Sequence, residues 1–126
     1  MKKIIAAKAA PAAIGAYSQA VLIGKTLYLS GQIPLDPATM EIVEGGLTAQ
    51  TTRVLENIKA VLTEAGFDLN DVLKCTIFIT DMEYFGKVNE IYARYFSVDP
   101  PARSCVAVAG LPRGALVEIE CVAAKE

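Results

Sequence analysis

The sequence predicts an α+β fold in which a mixed β-sheet carries two helices on one face. Two short strand-like runs precede the first helical segment, a strand-like run separates the two helical segments, and two more end the chain. With 126 residues and 53% apolar content, the chain is long enough for one compact core and too short for two ordinary domains. We therefore expect a single domain over residues 1–126.

The first half of the chain predicts a hairpin followed by a long helix. Residues 18–23 and 26–30 are short apolar runs on either side of Gly24-Lys25, the pattern of two strands around a turn. After a proline-containing loop, Gly45-Gly46 begins a helix that Gly66 ends. Its apolar residues recur at helical spacing: Leu47, Val54, Leu55, Ile58, Val61, Leu62 and Ala65.

The second half predicts strand, helix, strand and strand. Residues 72–80 are rich in β-branched and aromatic side chains, and Asp81 is placed to cap the next helix. Residues 103–109 and 115–124 predict the last two strands, joined by a Gly- and Pro-containing turn. The second helix has one apolar stripe, which we expect to face the core: Met82, Phe85, Val88, Tyr92 and Tyr95.

Alternation along the last strand divides its side chains between two faces. One face carries Val117, Ile119, Cys121 and Ala123, and we expect it to pack against the helices. The other carries Leu116, Glu118, Glu120 and Val122, a mixture typical of a face that another subunit half covers.

Arg103 is unusual because it stands in an otherwise apolar strand, where it shares a face with Cys105. Two explanations are open from the residues alone: Arg103 pairs with Glu118 or Glu120, or it binds an anion.

Composition excludes several classes of function. The net charge is −2 and no run of like charges is present, which disfavours a nucleic-acid partner. The chain has no histidine and no spaced cysteine cluster, so we expect no metal. Its three cysteines suit a reducing cytoplasm. Lys8 and Pro11 interrupt the apolar N-terminal run too early for a signal peptide, and no run is long enough to span a membrane.

Three separated motifs, in this order, resemble the Rid (YjgF) family of reactive intermediate deaminases. They are APAAIGAYSQA at 10–20, YLSGQIPLD at 28–36, and PARSC at 101–105 together with VEIE at 117–120. The resemblance covers nearly the whole chain. It implies a chorismate-mutase-like fold, a homotrimer whose sheets line a central barrel, and active sites in clefts between subunits.

The resemblance also implies an activity, the hydrolysis of reactive enamines and imines such as 2-aminoacrylate to 2-oxo acids and ammonia, with no cofactor. Arg103 would clamp the substrate carboxylate, Glu120 would orient or activate water, and Tyr17 would donate to the nitrogen or hold the water. Substrate-binding roles fall to Cys105, Ser30, Gly31 and Asn89. Ala16 departs from the family's usual proline before the tyrosine, which loosens the backbone that aims Tyr17.

Other functions and roles remain open at this stage. A 2-oxo acid sensor would use the same Arg103 without turnover, a holdase chaperone is a further alternative, and an endoribonuclease is disfavoured by the acidic balance. Glu118 would be a surface or intersubunit salt-bridge residue. Cys105 as a nucleophile would lack a histidine to deprotonate it, so we expect its backbone to make the contacts.

Overall fold

The fold of residues 1–126, all of which the computed structural model describes, is one six-stranded sheet with two α-helices. The strands are β1 (Lys3–Ile5), β2 (Ala20–Ile23), β3 (Thr26–Gln32), β4 (Val72–Ile79), β5 (Ala102–Ala107) and β6 (Val117–Ala124). The helices are α1 (Gly46–Glu64) and α2 (Phe85–Tyr95), and the strand order is β1-β2-β3-β6-β4-β5. The predicted α+β class with a mixed sheet is confirmed.

The sheet is mixed because one pair of strands is parallel. β4 and β5 run parallel, joined through α2, whereas every other neighbouring pair is antiparallel. A parallel pair needs a crossover long enough for a helix, which the segment between residues 79 and 102 supplies. As a result β5 lies at one edge of the sheet, next to β4 alone.

The core lies between the helices and one face of the sheet, called the helix face below. On β6 this face carries Val117, Ile119, Cys121 and Ala123, all buried as their alternation predicts. Helix α1 contributes five side chains with no exposed surface to the same core: Val54, Leu55, Ile58, Val61 and Leu62. Burial of these aliphatic groups is the main source of stability, at about 1.5–3 kcal/mol for each side chain.

The opposite face, called the free face, is covered by no helix and remains partly apolar. Tyr28 on β3 is 52% exposed and Val106 on β5 is 42% exposed. Glu120 is exposed as well, and Glu118 is half-buried. Exposed aromatic and aliphatic side chains on a sheet face are typical of a surface that another chain covers.

Three sequence expectations need correction. The sheet begins with β1, which the sequence analysis missed because three residues flanked by lysines carry too little pattern. β5 ends at Ala107 rather than 109, and β6 begins at Val117 rather than 115. In α2, Val88 and Tyr92 are buried and Phe85 and Tyr95 pack against the core, as predicted. Met82, however, lies in a preceding 3₁₀ turn and is 50% exposed, and Ile91, which the predicted stripe left out, is buried.

No helix in the structure combines the length and the apolarity that crossing a bilayer requires.

The burial of Ile91 and the exposure of Met82 give a prediction about stability. Ile91→Ala should lower the free energy of unfolding by about 2–5 kcal/mol, because it leaves a cavity at a site that is 1% exposed. Met82→Ala, the matched control, should change it by no more than ~0.5 kcal/mol. Urea denaturation of both variants measures the difference, and equal losses would contradict the observed orientation of α2.

Candidate active site

A cleft of about 450 Å³ lies where β3 and β6 meet the loop that precedes β2. Its polar lining comes from Tyr17, Ser30, Gly31, Arg113 and Glu118. We call this group the carboxylate half-site. Three of these residues, Tyr17, Ser30 and Gly31, were predicted as site residues from the sequence.

A β-bulge in β3 shapes this cleft. Leu29 pairs with Cys121 and Gln32 pairs with Ile119, so Ser30 and Gly31 occupy a stretch where β3 has one residue more than β6. Such bulges bend a strand and redirect its side chains. Here the Ser30 hydroxyl donates a hydrogen bond of 2.6 Å to the Ser18 carbonyl, which fixes the strand to the segment carrying Tyr17.

Gly31 leaves room for the Glu118 side chain, which occupies the space where a Cβ would stand. A Cβ built on Gly31 would lie 2.8 Å from the Glu118 Cδ and closer still to one carboxylate oxygen. A larger residue would therefore require the end of the Glu118 side chain to move. The bulge and the glycine together allow Glu118 to lie against β3.

The surroundings of Glu118 in the cleft change its affinity for a proton. Partial burial, followed by the negative charge of Glu120, raises its pKa above the ordinary glutamate value. A carboxyl group with a raised pKa is well suited to exchange protons with water or substrate near neutral pH.

Buried amide side chains hold the loops around the cleft. Gln19 accepts a hydrogen bond from the Ala7 N–H at 2.6 Å and donates to the Pro11 carbonyl at 2.8 Å. Asn57, on α1, donates to the carbonyls of Ile33 and Leu35 at 3.2 and 3.1 Å. Both amides are at most 4% exposed, so removing either would leave buried backbone groups without partners.

Tyr17 is 53% exposed and reaches the cleft from a short turn. Its N–H donates to the Gly15 carbonyl at 3.0 Å across Ala16, and its hydroxyl accepts from the Ile14 N–H at 3.4 Å. Gly15 has a φ of 101°, a conformation that glycine adopts readily. Local hydrogen bonds therefore form the turn with an alanine at position 16, where the resemblance implies a proline.

Arg103 lies in a different environment, at the edge of the sheet beside α2. Its Nη1 donates a 2.6 Å hydrogen bond to Asn89 Oδ1. The guanidinium carbon is 5.2 Å from the ring centre of Phe85 and 5.1 Å from that of Tyr92, within the range of cation–π attraction. We call these four residues the arginine half-site. It brings together Arg103 and Asn89, two of the predicted site residues.

Arg103 makes no salt bridge, so the carboxylate pairing that the sequence left open is not observed. Its guanidinium is exposed and retains donors for an anion. Cys105 lies on the same face of β5, as predicted, and is half-buried. Burial raises the pKa of the Cys105 thiol, which disfavours the reactive thiolate.

The two half-sites lie on opposite faces of the sheet. Cys75 pairs with both Arg103 and Cys121, which places Arg103 on the helix face. Phe78 pairs with both Val106 and Glu118, which places Glu118 on the free face. Within one chain, the guanidinium and the carboxylate therefore cannot contact the same small molecule.

The two glutamates differ in placement, and the role of Glu120 stays a prediction. Glu120 shares the free face with Glu118, but it is exposed and does not line the cleft, whereas Glu118 does. Arg113 was missed altogether. It lines the cleft from a turn with a φ of 61° and donates to the Met40 carbonyl at 3.1 Å. Its place within the Gly- and Pro-containing turn at 110–114 gave it the pattern of an ordinary loop residue.

Comparison with known proteins shows the family to which this chain is related. Residues 7–125 match the family described as Endoribonuclease L-PSP. The chain belongs to this family, which is also the YjgF/Rid family. Within it, the mouse 2-iminobutanoate/2-iminopropanoate deaminase is 48% identical over 123 residues, which cover 98% of this chain and 91% of the mouse protein.

Solved structures of the L-PSP (YjgF/Rid) family share the whole fold. A Thermotoga maritima protein described as a candidate endoribonuclease has a TM-score of 0.98 and 55% identity, with 100% of this chain and 99% of that chain covered. Escherichia coli TdcF, crystallised with bound serine, has a TM-score of 0.94 and 42% identity, with 98% and 99% covered.

The raised pKa of Glu118 predicts how pH affects stability. The folded state holds this proton up to a higher pH than the unfolded chain, so stability decreases as pH rises from the ordinary glutamate pKa through the raised one. Glu118→Gln removes the buried charge and should raise the melting temperature at neutral pH, with the gain vanishing below pH ~4. Thermal denaturation of both proteins across this range is the measurement. A variant less stable than wild type at neutral pH would contradict the expectation.

Proposed function

We propose that this protein is a hydrolytic deaminase that converts 2-imino acids and their enamine tautomers into 2-oxo acids and ammonia, without a cofactor. Substrates of this class include 2-aminoacrylate, 2-iminopropanoate and 2-iminobutanoate. The name of the mouse relative supports the reaction, and the serine bound to E. coli TdcF supports a small ligand with a carboxylate. The observation that carries the proposal is an unpaired Arg103 guanidinium together with a perturbed Glu118 in a cleft.

The catalytic unit in this proposal is a homotrimer with its sites between subunits. The half-sites of one chain lie on opposite faces of its sheet, and Arg103 lies on the edge strand β5. An edge strand and a partly apolar free face are surfaces that a second copy can cover. The arginine half-site of one subunit then faces the carboxylate half-site of its neighbour. Because the contact is head-to-tail, repetition by rotation closes it into a ring.

Arg103 binds the substrate carboxylate in this arrangement. A guanidinium presents paired N–H donors that match the two oxygens of a carboxylate. The hydrogen bond to Asn89 and the rings of Phe85 and Tyr92 restrict the guanidinium before substrate binds, which reduces the ordering required on binding. Fixing the carboxylate also fixes the adjacent C=N carbon for attack by water.

Glu118 handles the protons of the reaction, and this role passes to it from Glu120 because only Glu118 lines the cleft. The ionised carboxylate accepts a proton from water as the oxygen attacks the imine carbon, which gives a tetrahedral carbinolamine. The protonated carboxyl then returns the proton to nitrogen. The same carboxylate then carries the hydroxyl proton to the nitrogen, so that the carbonyl forms as the C–N bond breaks and ammonia leaves.

The remaining predicted residues bind and orient the substrate. The Tyr17 hydroxyl is placed to hold the water or donate to the nitrogen, and Ser30 and Gly31 form the cleft wall beside it. The backbone of Cys105 borders the arginine half-site. The protein would act in the cytoplasm, where its three free cysteines remain reduced.

A non-catalytic sensor of 2-oxo acids would use the arginine half-site alone, and a holdase would use the partly apolar free face. Neither function would need a carboxyl group with a raised pKa in the cleft. Ribonuclease activity, which the family description names, finds little support in an acidic chain with a net charge of −2.

Replacement of Arg103 tests the carboxylate clamp. Arg103→Ala should lower kcat/KM by roughly a hundredfold or more, about 3 kcal/mol, because charge-assisted hydrogen bonds to the substrate are lost. Arg103→Lys should fall in between, since it keeps the charge and loses the paired donors. The assay couples an amino acid oxidase to the protein and follows 2-oxo acid formation from the released imine. Binding of 2-oxo acids without acceleration by the wild type would support the sensor instead.

Glu118 and Glu120 lie on the same face of β6, so substitution of one is a matched control for substitution of the other. Glu118→Gln should reduce kcat by about 10²–10⁴-fold, the range for loss of a general acid–base, and Glu120→Gln should stay within severalfold of wild type. The same coupled assay measures both. The reverse result, with Glu120→Gln inactive and Glu118→Gln active, would return the catalytic role to Glu120.

Subunit mixing tests whether the site lies between chains. Arg103→Ala and Glu118→Gln trimers, each inactive alone, should regain roughly a quarter of wild-type activity after unfolding and refolding together, since that fraction of interfaces joins two intact half-sites. Sedimentation of the mixture verifies the trimer. A mixture that assembles and stays inactive would contradict the intersubunit site.

A further inference from the structure

Two buried cysteines face each other across the antiparallel strands β4 and β6. Cys75 and Cys121 are register partners on the helix face, 0% and 3% exposed, and both are free thiols. Directly opposed residues of antiparallel strands have Cα atoms ~4.5–5.5 Å apart, which lies within the range that a disulfide requires. Neither thiol has a part in the proposed deamination.

Polar groups surround this pair in a way that differentiates the two thiols. The Tyr92 hydroxyl is buried without a hydrogen-bond partner, and its ring lies under the Arg103 guanidinium. Contact with Cys121, then with Tyr92, and the charge of Arg103 lower the pKa of Cys75, against the opposing effect of burial. The pKa of Cys121 is raised, first by its contact with Cys75 and then by burial. Cys75 is thus the better thiolate and Cys121 the retained thiol.

We propose that Cys75 and Cys121 form an oxidisable dithiol that closes to an intramolecular disulfide when the protein meets a hydroperoxide. The register places the two Cβ atoms opposite each other, and strands on both sides hold them there. The third cysteine, Cys105, lies on β5 opposite Ile77, two positions along β4 from Cys75.

The chemistry balances in two steps. The Cys75 thiolate attacks one oxygen of hydrogen peroxide, forming a sulfenic acid and releasing hydroxide, which takes up the proton lost by the thiol to become water. The Cys121 thiol then attacks the Cys75 sulfur, the S–S bond forms, and a second water leaves. Two thiols lose two electrons in total, and one peroxide is reduced to two waters.

The location gives the site a link to Arg103, because Cys75 and Arg103 are register partners on β4 and β5. The disulfide itself does not depend on the deaminase proposal. It requires only the fold and the register.

Peptide mapping of the full-length wild type tests the inference directly. Trypsin separates the three cysteines into residues 75–87, 104–113 and 114–125. The folded protein is treated with hydrogen peroxide, unfolded in the presence of an alkylating reagent, digested without reductant, and analysed by mass spectrometry. We expect peptides 75–87 and 114–125 joined, with a mass lower by two hydrogen atoms than their sum, and separated again by reductant.

Two controls complete the experiment. Cys105→Ser should give the same linked pair, which shows that the third thiol is not an intermediate. Cys121→Ala should leave Cys75 as a sulfenic acid that a dimedone reagent traps; if this variant does not fold, the wild-type map still decides. The inference is overturned if Cys75 and Cys121 remain alkylatable while Cys105 oxidises, or if the linked pair forms only when peroxide is added to unfolded protein.

Discussion

The packing of both helices against one face of the sheet is the constraint on which the rest of the structure depends. It buries alternate residues of β4 and β6 and leaves the other half on a surface that holds Tyr28, Val106 and Glu118. It also places α2 beside β5, so that the Arg103 guanidinium lies over the rings of Phe85 and Tyr92. The chemical groups of the molecule are thereby divided between two surfaces.

Much of the fold could be predicted from periodicity, and the errors have physical causes. Alternation in β6 sorted Val117 and Glu118 correctly, because period two has only two outcomes. The set of core-facing residues in a helix is harder to predict, since a shift of the apolar stripe by one residue gives a similar spacing. Met82 lies in a 3₁₀ turn that Asp81 caps and is exposed, whereas Ile91 is buried in the core. β1 is stabilised by its pairing with β2. Three residues carry too little pattern to predict such a long-range contact.

Several residues of the candidate site could be predicted from the sequence, but the carboxylate that lines the cleft could not. The motifs brought forward Tyr17, Ser30 and Gly31, and the structure brings them together. They implied Glu120 as the carboxylate of the site, whereas Glu118 is the one that lines the cleft of the single chain, since the extra residue in β3 places Gly31 beside it. Gln19 and Asn57 gave a weaker signal, as polar residues at positions with a core-facing pattern.

The division of charged groups between two sheet faces has a consequence for how such a protein responds to dilution. A site completed by a neighbour exists only while the assembly exists, so specific activity becomes a function of protein concentration through mass action. In a monomeric enzyme, falling abundance reduces activity in proportion. In the proposed trimer, once the protein concentration falls below that needed for assembly, activity would fall more steeply than abundance, which would set a threshold concentration for activity.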